Sequence, residues 1–272
     1  MPDPPVTKTA TPATELAIAT PLAESAIDER GIATVTIRGA HSLNIIGAAA
    51  IADVTAAIAT LRARDGVRVL VLRGPSDTFV GGADIDEMAQ LDADSAVAFI
   101  ESLAALCDGL RGFPRPVIAR LAGWCLGGGL EIAMACDLRI ASREARFGMP
   151  EVLVGIPSVI HAALMPRLIG QSRAAWLLLT GEAIGAEAAE QWGLVNQVVD
   201  GPGLDAAVAQ LAGRLAGLGP QVSARQKQLL RSWEDQPLDA SIGQSVAAFS
   251  AAFRTGEPQH FMGEFLARRR RR

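Results

Sequence analysis

The chain has 272 residues, half of them hydrophobic, with a formal net charge of −4, three cysteines and no tyrosine. That length and apolar content suffice for one α/β core with an appendage, while the acidic balance offers no global basic field to nucleic acid and no apolar run approaches the roughly 18 residues that cross a bilayer. The cysteines, Cys107, Cys125 and Cys136, show no C-x-x-C or Cys/His spacing, which argues against a disulfide framework or a zinc site and suits reduced thiols in a cytoplasmic protein.

Met1 to about Thr20 is rich in Pro, Thr and Ala and has no basic stretch ahead of an apolar one. A flexible tail over residues 1–22 is expected there, rather than a leader. Gly31–Ile37 alternates and is rich in β-branched residues, as a strand is. Ile45 to about Arg64 places Ile51, Val54, Ile58 and Leu61 at helical spacing. Val67–Leu72 is nearly continuous in apolar residues, the pattern of a buried parallel strand, and Gly74-Pro75 ends it. A helix over Asp94–Arg111, a strand over Pro116–Leu121, a short helix from Gly127 to about Ala135 and a strand at Asp137–Ile140 follow. This alternation predicts an α/β core over residues 23–202 with parallel crossovers. After Gly203 the pattern is helical throughout: Leu204–Leu218, Val222–Trp233, Leu238–Phe253 and about Pro258–Leu266, punctuated by Gly219-Pro220 and Gln236-Pro237. Residues 203–272 are therefore expected to form a C-terminal helical region. The five closing arginines, Arg268–Arg272, read as a solvated end, with an anion contact as the sharper alternative.

Three stretches carry chemistry. Gly81-Gly82-Ala83-Asp84-Ile85-Asp86-Glu87 follows a strand and opens a helix, so its glycines let backbone N–H groups approach a ligand. Its carboxylates fit helix capping better than a metal. Gly127-Gly128-Gly129-Leu130-Glu131 feeds a glycine run into a helix and exposes unpaired N–H groups where a developing anion is stabilised. Tight packing explains one or two glycines better than three. The run matches neither a P-loop nor G-x-G-x-x-G, and no G-x-S-x-G elbow occurs. Cys125 adjoins the run, but no histidine lies near it in sequence to activate it. Glu151, in Phe147-Gly148-Met149-Pro150-Glu151, stands twenty residues beyond Glu131. Two carboxyls in one dry pocket can divide the roles of acid and base.

Together these stretches resemble the crotonase family, also called the enoyl-CoA hydratase/isomerase family. Gly81–Ile85 is similar to its A-G-A-D-I loop, Gly127–Glu131 to its G-G-G-x-E helix start and Phe147–Glu151 to its F-x-x-P-E segment. Leu179-Thr180-Gly181, Gly193-Leu194-Val195 and Ser42-Leu43-Asn44 resemble further signatures, so the likeness covers about residues 25–268. It implies an α/β spiral of ββα units with a C-terminal helical trimerisation region, a homotrimer or hexamer, and an acyl-CoA thioester substrate with no metal or other cofactor. By position, the N–H groups of Gly81 and Gly128 would form the oxyanion hole. Ala83, Asp84, Ile85 and Gly127 would lie along the CoA path. Glu131 would activate water and Glu151 would protonate the α carbon of a 2-enoyl-CoA. The alternatives are isomerisation, thioester hydrolysis or decarboxylation of an acyl-CoA, or CoA or RNA binding without turnover. The chain departs from the family at Asp86, where many members carry lysine. It departs again in Ile156–Leu164, where many hydratases read G-A-G-G-T-Q and where this loop looks a residue shorter than theirs.

Overall fold

The computed structural model describes residues 14–271. In chain order the elements begin with β1 (Thr14–Ala19), β2 (Ala23–Asp28), β3 (Ile32–Ile37), α1 (Ala48–Arg62) and β4 (Val69–Arg73). They continue with α2 (Ile85–Met88), α3 (Ala93–Arg111), β5 (Val117–Leu121), β6 (Trp124–Leu126), α4 (Gly128–Ala135), β7 (Leu138–Ser142) and β8 (Arg146–Gly148). Two 3₁₀ turns, Pro150–Val154 and Ile160–Leu164, lead into α5 (Met165–Ile169), α6 (Gln171–Thr180), β9 (Ala183–Gly185), α7 (Ala186–Trp192) and β10 (Gln197–Val199). The chain then runs through α8 (Leu204–Ala216), α9 (Pro220–Asp235), α10 (Leu238–Ala252) and α11 (Glu257–Arg270).

The main sheet has the order β1-β2-β3-β4-β5-β7-β10. Its first three strands are antiparallel, and from β3 onward every pairing is parallel. A second sheet, β6-β8-β9, stands beside it. The apolar run of β4 is continuous because both of its faces are covered. Leu70 and Leu72 join the core under α1 and α3, whereas Val69 and Val71 face the smaller core under α8. β5 divides in the same way, with Val117, Ala119 and Leu121 on one side and Ile118 on the other. Period-two alternation thus survives inside an unbroken hydrophobic string. Each fully buried Val, Leu or Ile contributes about 1.5–3 kcal/mol by leaving water.

Two expectations change. Thr14–Ala19, assigned to a flexible tail, is an edge strand paired antiparallel with β2; residues 1–13 lie outside the described residues. The helices do begin at Leu204, but α8 is a layer of the core. Its Leu204, Val208 and Ala212, four apart, bury one stripe against β4, β5 and β7. α9 is tied in by Lys227, whose buried ammonium meets Asp137 at 2.7 Å and the carbonyls of Leu110 and Arg115 at 3.1 Å. No helix among the described residues is long and apolar enough to cross a membrane.

Candidate active site

The loop between β4 and α2 is fastened on both sides. Val80 bridges to Cys125 of β6, and the Leu126 N–H donates to the Val80 carbonyl at 3.1 Å. On the other side, the buried amide of Asn44 donates to the carbonyls of Ile37 and Phe79. This holds the 41–44 turn so that the Leu43 carbonyl faces Gly81. The Gly81 N–H, expected to help form an oxyanion hole, is consumed there: it donates to Leu43 O at 2.8 Å. A Cβ at Gly81 would stand 2.6 Å from that same oxygen, so glycine is required here for close approach and alanine is not a neutral replacement. Two residues on, Ile46 donates to the Gly82 carbonyl at 3.0 Å and accepts from the Asp84 N–H at 3.0 Å. In this parallel bridge the intervening Ala83 turns its own N–H away from Ile46, on the side where the cavity lies. Asp84 caps α2, its carboxylate accepting from the N–H groups of Asp86 and Glu87, and Glu87 accepts from the Ala48 N–H at 3.0 Å. Two of the loop's three carboxylates are thereby occupied in fastening helix starts.

The three glycines ahead of Glu131 do three different things. Gly127 has φ +51° and ψ −125° and donates its N–H to Gly148 at 2.9 Å. A Cβ there would stand 2.5 Å from the Glu151 Oε1, so the missing side chain is where the second carboxylate sits. Gly128 opens α4, and its N–H has no intrahelical acceptor. Gly129 lies against the backbone of the 79–84 loop; a Cβ would meet Val80 O at 2.3 Å. Packing accounts for the third glycine and conformation for the first, while at the middle one a Cβ would stand 2.9 Å from the Leu103 Cδ2 beside the open amide.

Every residue of α4 is buried, so Glu131 enters the cavity from a fixed helix and is only 3 % exposed. Its Oε1 accepts the Ala162 N–H at 2.8 Å. Burial pushes its carboxyl up to about 8, an effect tempered by the Ala162 N–H and increased by the nearby Glu151 charge. Glu151 leads in from the first 3₁₀ turn, half-buried, with Ser158 Oγ donating to its Oε2 at 2.8 Å. Burial raises its carboxyl too, while hydrogen bonds from its own backbone and from Ser158 act the other way. Both carboxyls hold their protons to a higher pH than an ordinary carboxyl does, and as neighbours they titrate as a pair. Glu131 is the deeper of the two, and burial is the largest cause of its raised proton affinity.

Both glutamates line a cavity of about 900 Å³, with Gly81, Ala83, Asp84, Ile85, Gly127 and Gly128 on its rim and walls. Its apolar part is formed by Met88, Leu91, Phe99, Ile100 and Leu103 from α2, α3 and their junction, and by Val154, Ile156 and Val159. Cys125 is outside this lining. Its thiol is fully buried, lies 3.6 Å from the Gly129 carbonyl, and is pushed well up by burial, which removes it as a nucleophile. The sequence gives no signal for Ala162, which acts through its backbone, and only hindsight singles out Ser158 within an unfamiliar loop. Arg268–Arg270 extend α11 rather than forming a tail, and Arg268 pairs with Glu264 at 2.8 Å; Arg272 lies outside the described residues.

A pair of carboxyls facing two unengaged backbone amides across an apolar cavity defines a site for proton transfer next to a polarised carbonyl. Comparison with known proteins gives the same class. Residues 28–272 match the profile of the family described as enoyl-CoA hydratase/isomerase. A crotonyl-CoA hydratase of Syntrophomonas wolfei is 32 % identical over 244 residues, covering 89 % of this chain and 94 % of that protein. A short-chain-enoyl-CoA hydratase of Clostridium acetobutylicum matches over the same shares at 32 %. The crystal structure of an enoyl-CoA hydratase of Mycobacterium smegmatis superposes with a TM-score of 0.88 at 26 % identity, covering 92 % of this chain and 97 % of that one. The chain belongs to the enoyl-CoA hydratase/isomerase family and has the crotonase fold.

Proposed function

We propose that the protein hydrates 2-enoyl-CoA thioesters with Glu131 and Glu151 as its acid/base pair. The observation that carries this reading is that the buried Glu131 and the half-buried Glu151 line one cavity together with the open amide of Gly128. The thioester carbonyl accepts from Gly128 N–H and from Ala83 N–H, which replaces the engaged Gly81 in that role. The ionised carboxylate takes a proton from water as the oxygen bonds to the β carbon. The double-bond electrons move to the α carbon and carbonyl, forming an enolate that the two amides and the α4 dipole stabilise. The protonated carboxyl gives its proton to the α carbon, so the pair ends with the one proton it began with. If Glu131 activates water, its resting proton must pass to Glu151 when substrate enters. Solvent exchange at the α carbon of a saturated acyl-CoA assigns the roles: loss in Glu151→Gln with retention in Glu131→Gln makes Glu151 the proton donor.

The test is turnover of short 2-enoyl-CoAs by the purified protein. Glu131→Gln and Glu151→Gln are each expected to lower kcat by about 10²–10⁴; normal rates in both would sink the two-glutamate mechanism. Isomerisation, thioester hydrolysis and decarboxylation remain the competing crotonase reactions, and a panel of acyl-CoAs separates them. Hydration uses both carboxyls at once, which favours it over reactions served by one. The apolar lining suits an uncharged acyl group. No cofactor beyond the substrate's own CoA enters this chemistry. The assembly is a homotrimer or hexamer, supported by Ile242, Val246, Phe249 and Phe265, which α10 and α11 leave exposed in the single chain; light scattering reads the mass. Three buried free thiols fit a cytoplasmic setting.

A further inference from the structure

The Ile156–Leu164 segment, where the sequence departs from the hydratase pattern, contains a contact that the reaction as written does not use. The His161 Nε2 lies 3.1 Å from the Asp108 Oδ1 on α3. The ring is 12 % exposed, and its Nδ1 is buried without a partner among the described residues. Burial, with Arg111 and Arg231 nearby, lowers the imidazole's proton affinity, while Asp108 raises it in part. The neutral ring must therefore carry its proton on Nε2 to donate to the carboxylate. A buried unpaired nitrogen is a cost that a phenyl or isobutyl group of similar bulk does not incur. The compensation for that cost is the bond made by the other nitrogen. Immediately before it, Ile160 has φ +40°, a left-handed conformation that β-branched residues resist. Immediately after it, Ala162 shares its N–H between Glu131 at 2.8 Å and the Val159 carbonyl at 2.9 Å. The turn is thus strained on one side, delivers an amide to a catalytic carboxyl on the other, and is held to α3 between the two.

We infer that His161 and Asp108 form a positioning clasp that holds the Ile160–Leu164 turn so that the Ala162 N–H stays on Glu131. The inference rests on the reading of Glu131 as one of the proton-transferring pair. Opening the clasp lets the strained turn relax and draws the amide away from the carboxylate it stabilises. The groups facing Glu131 are Ala162 from this turn, Glu151 from the preceding one and the Cys107 thiol from α3. With the amide gone, nothing offsets burial and the Glu151 charge, and Glu131 holds its proton to a higher pH.

The experiment is a ¹³C-carboxyl titration of Glu131 in the full chain, beside kcat and KM against pH. Asp108 is 72 % exposed, so Asp108→Ala preserves the fold; His161→Phe fills the space without the bond, and His161→Gln restores a donor. In Asp108→Ala and His161→Phe the Glu131 midpoint is expected to rise, the kinetic limb governed by Glu131 to move with it, and kcat to fall roughly tenfold with KM unchanged. His161→Gln is expected to recover most of both. Removing the Asp108 charge alone would shift Glu131 downward, so an upward shift reports the lost amide. A midpoint that stays or falls in folded Asp108→Ala overturns the clasp. Wild-type protein that turns over no enoyl-CoA instead sinks the hydratase reading, and the titration still decides the clasp.

Discussion

The two halves of the site are built on different principles. The 79–84 loop and α4 present backbone: amides aimed by a parallel bridge, a helix start and glycines that admit neighbouring main chain to within contact. The Pro150–Leu164 segment presents side chains and one amide from two 3₁₀ turns, with Val152, Leu153 and Val154 exposed on the first of them. The first half is held by packing on every side, the second by a few hydrogen bonds. A site of this kind keeps its electrostatic cradle rigid and leaves the placement of one carboxyl, and of the amide serving the other, to a segment that sequence can vary.

The contrast predicts unequal tolerance of the same change. At Gly129 a methyl group meets backbone Val80 O at 2.3 Å, and neither α4 nor the loop can retreat. Gly129→Ala is expected to lose about 3 kcal/mol or more, far outweighing the roughly 1 kcal/mol that alanine gains in a helix. Gly155, in the variable half, has φ +82° but nothing within 4 Å of an added Cβ. Gly155→Ala is expected to cost only about 1–2 kcal/mol from the left-handed backbone. Urea denaturation of both variants measures the difference; equal losses would erase the distinction between the halves.

The second prediction concerns pH. Glu131 is raised from an ordinary carboxyl near 4.5 to about 8 in the folded chain. The folded state therefore binds a proton more tightly than the unfolded one. Its contribution is fully present below pH 4.5 and is lost as pH rises through about 8. Glu131→Gln, which keeps an acceptor for Ala162 N–H but never ionises, is expected to be more stable than wild type above pH 8 by a few kcal/mol. That advantage should fade on the acid side. Glu151→Gln should show the same sign with a smaller amplitude, because Glu151 is less buried. Thermal melts from pH 4 to pH 9 read both, and a Glu131→Gln chain with no alkaline advantage would mean that the carboxyl is solvated.

The rigid half was the more legible from sequence. β4, β5 and α4 emerged at nearly their true limits because continuous apolar strings and a glycine-led helix have few other solutions. The glycine run was readable as an open helix start, and Glu131 with it. What could not be read was which amide stays free: Gly81 looked equivalent to its neighbours until the Leu43 carbonyl, positioned by Asn44 from far earlier in the chain, was seen to occupy it. β1 was missed because its strand state depends on pairing with β2, not on a local pattern. In the variable half Glu151 was found by its spacing. Its partners were not, since a 3₁₀ turn has no periodicity of its own and Ala162 contributes only an N–H.

The smallest expected effect lies at Ser158 and sharpens the contrast from within the variable half. Its hydroxyl donates to Glu151 at 2.8 Å and holds that carboxyl's proton affinity down. Ser158→Ala removes a bond that water can partly replace, because Glu151 is only half-buried, so stability should change by about 1 kcal/mol or less. The carboxyl loses a stabilising donor, and its midpoint should move up by more than that of Glu131, which is coupled to it. The pH–rate profile of kcat/KM is then expected to shift mainly on the limb governed by Glu151, with a few-fold loss of rate near neutrality. The clasp variants move the other limb. Separate movement of the two limbs would show that each glutamate is tuned by its own turn. If Ser158→Ala and Asp108→Ala displace both limbs together, the two 3₁₀ turns act as one body and the pair cannot be tuned one member at a time.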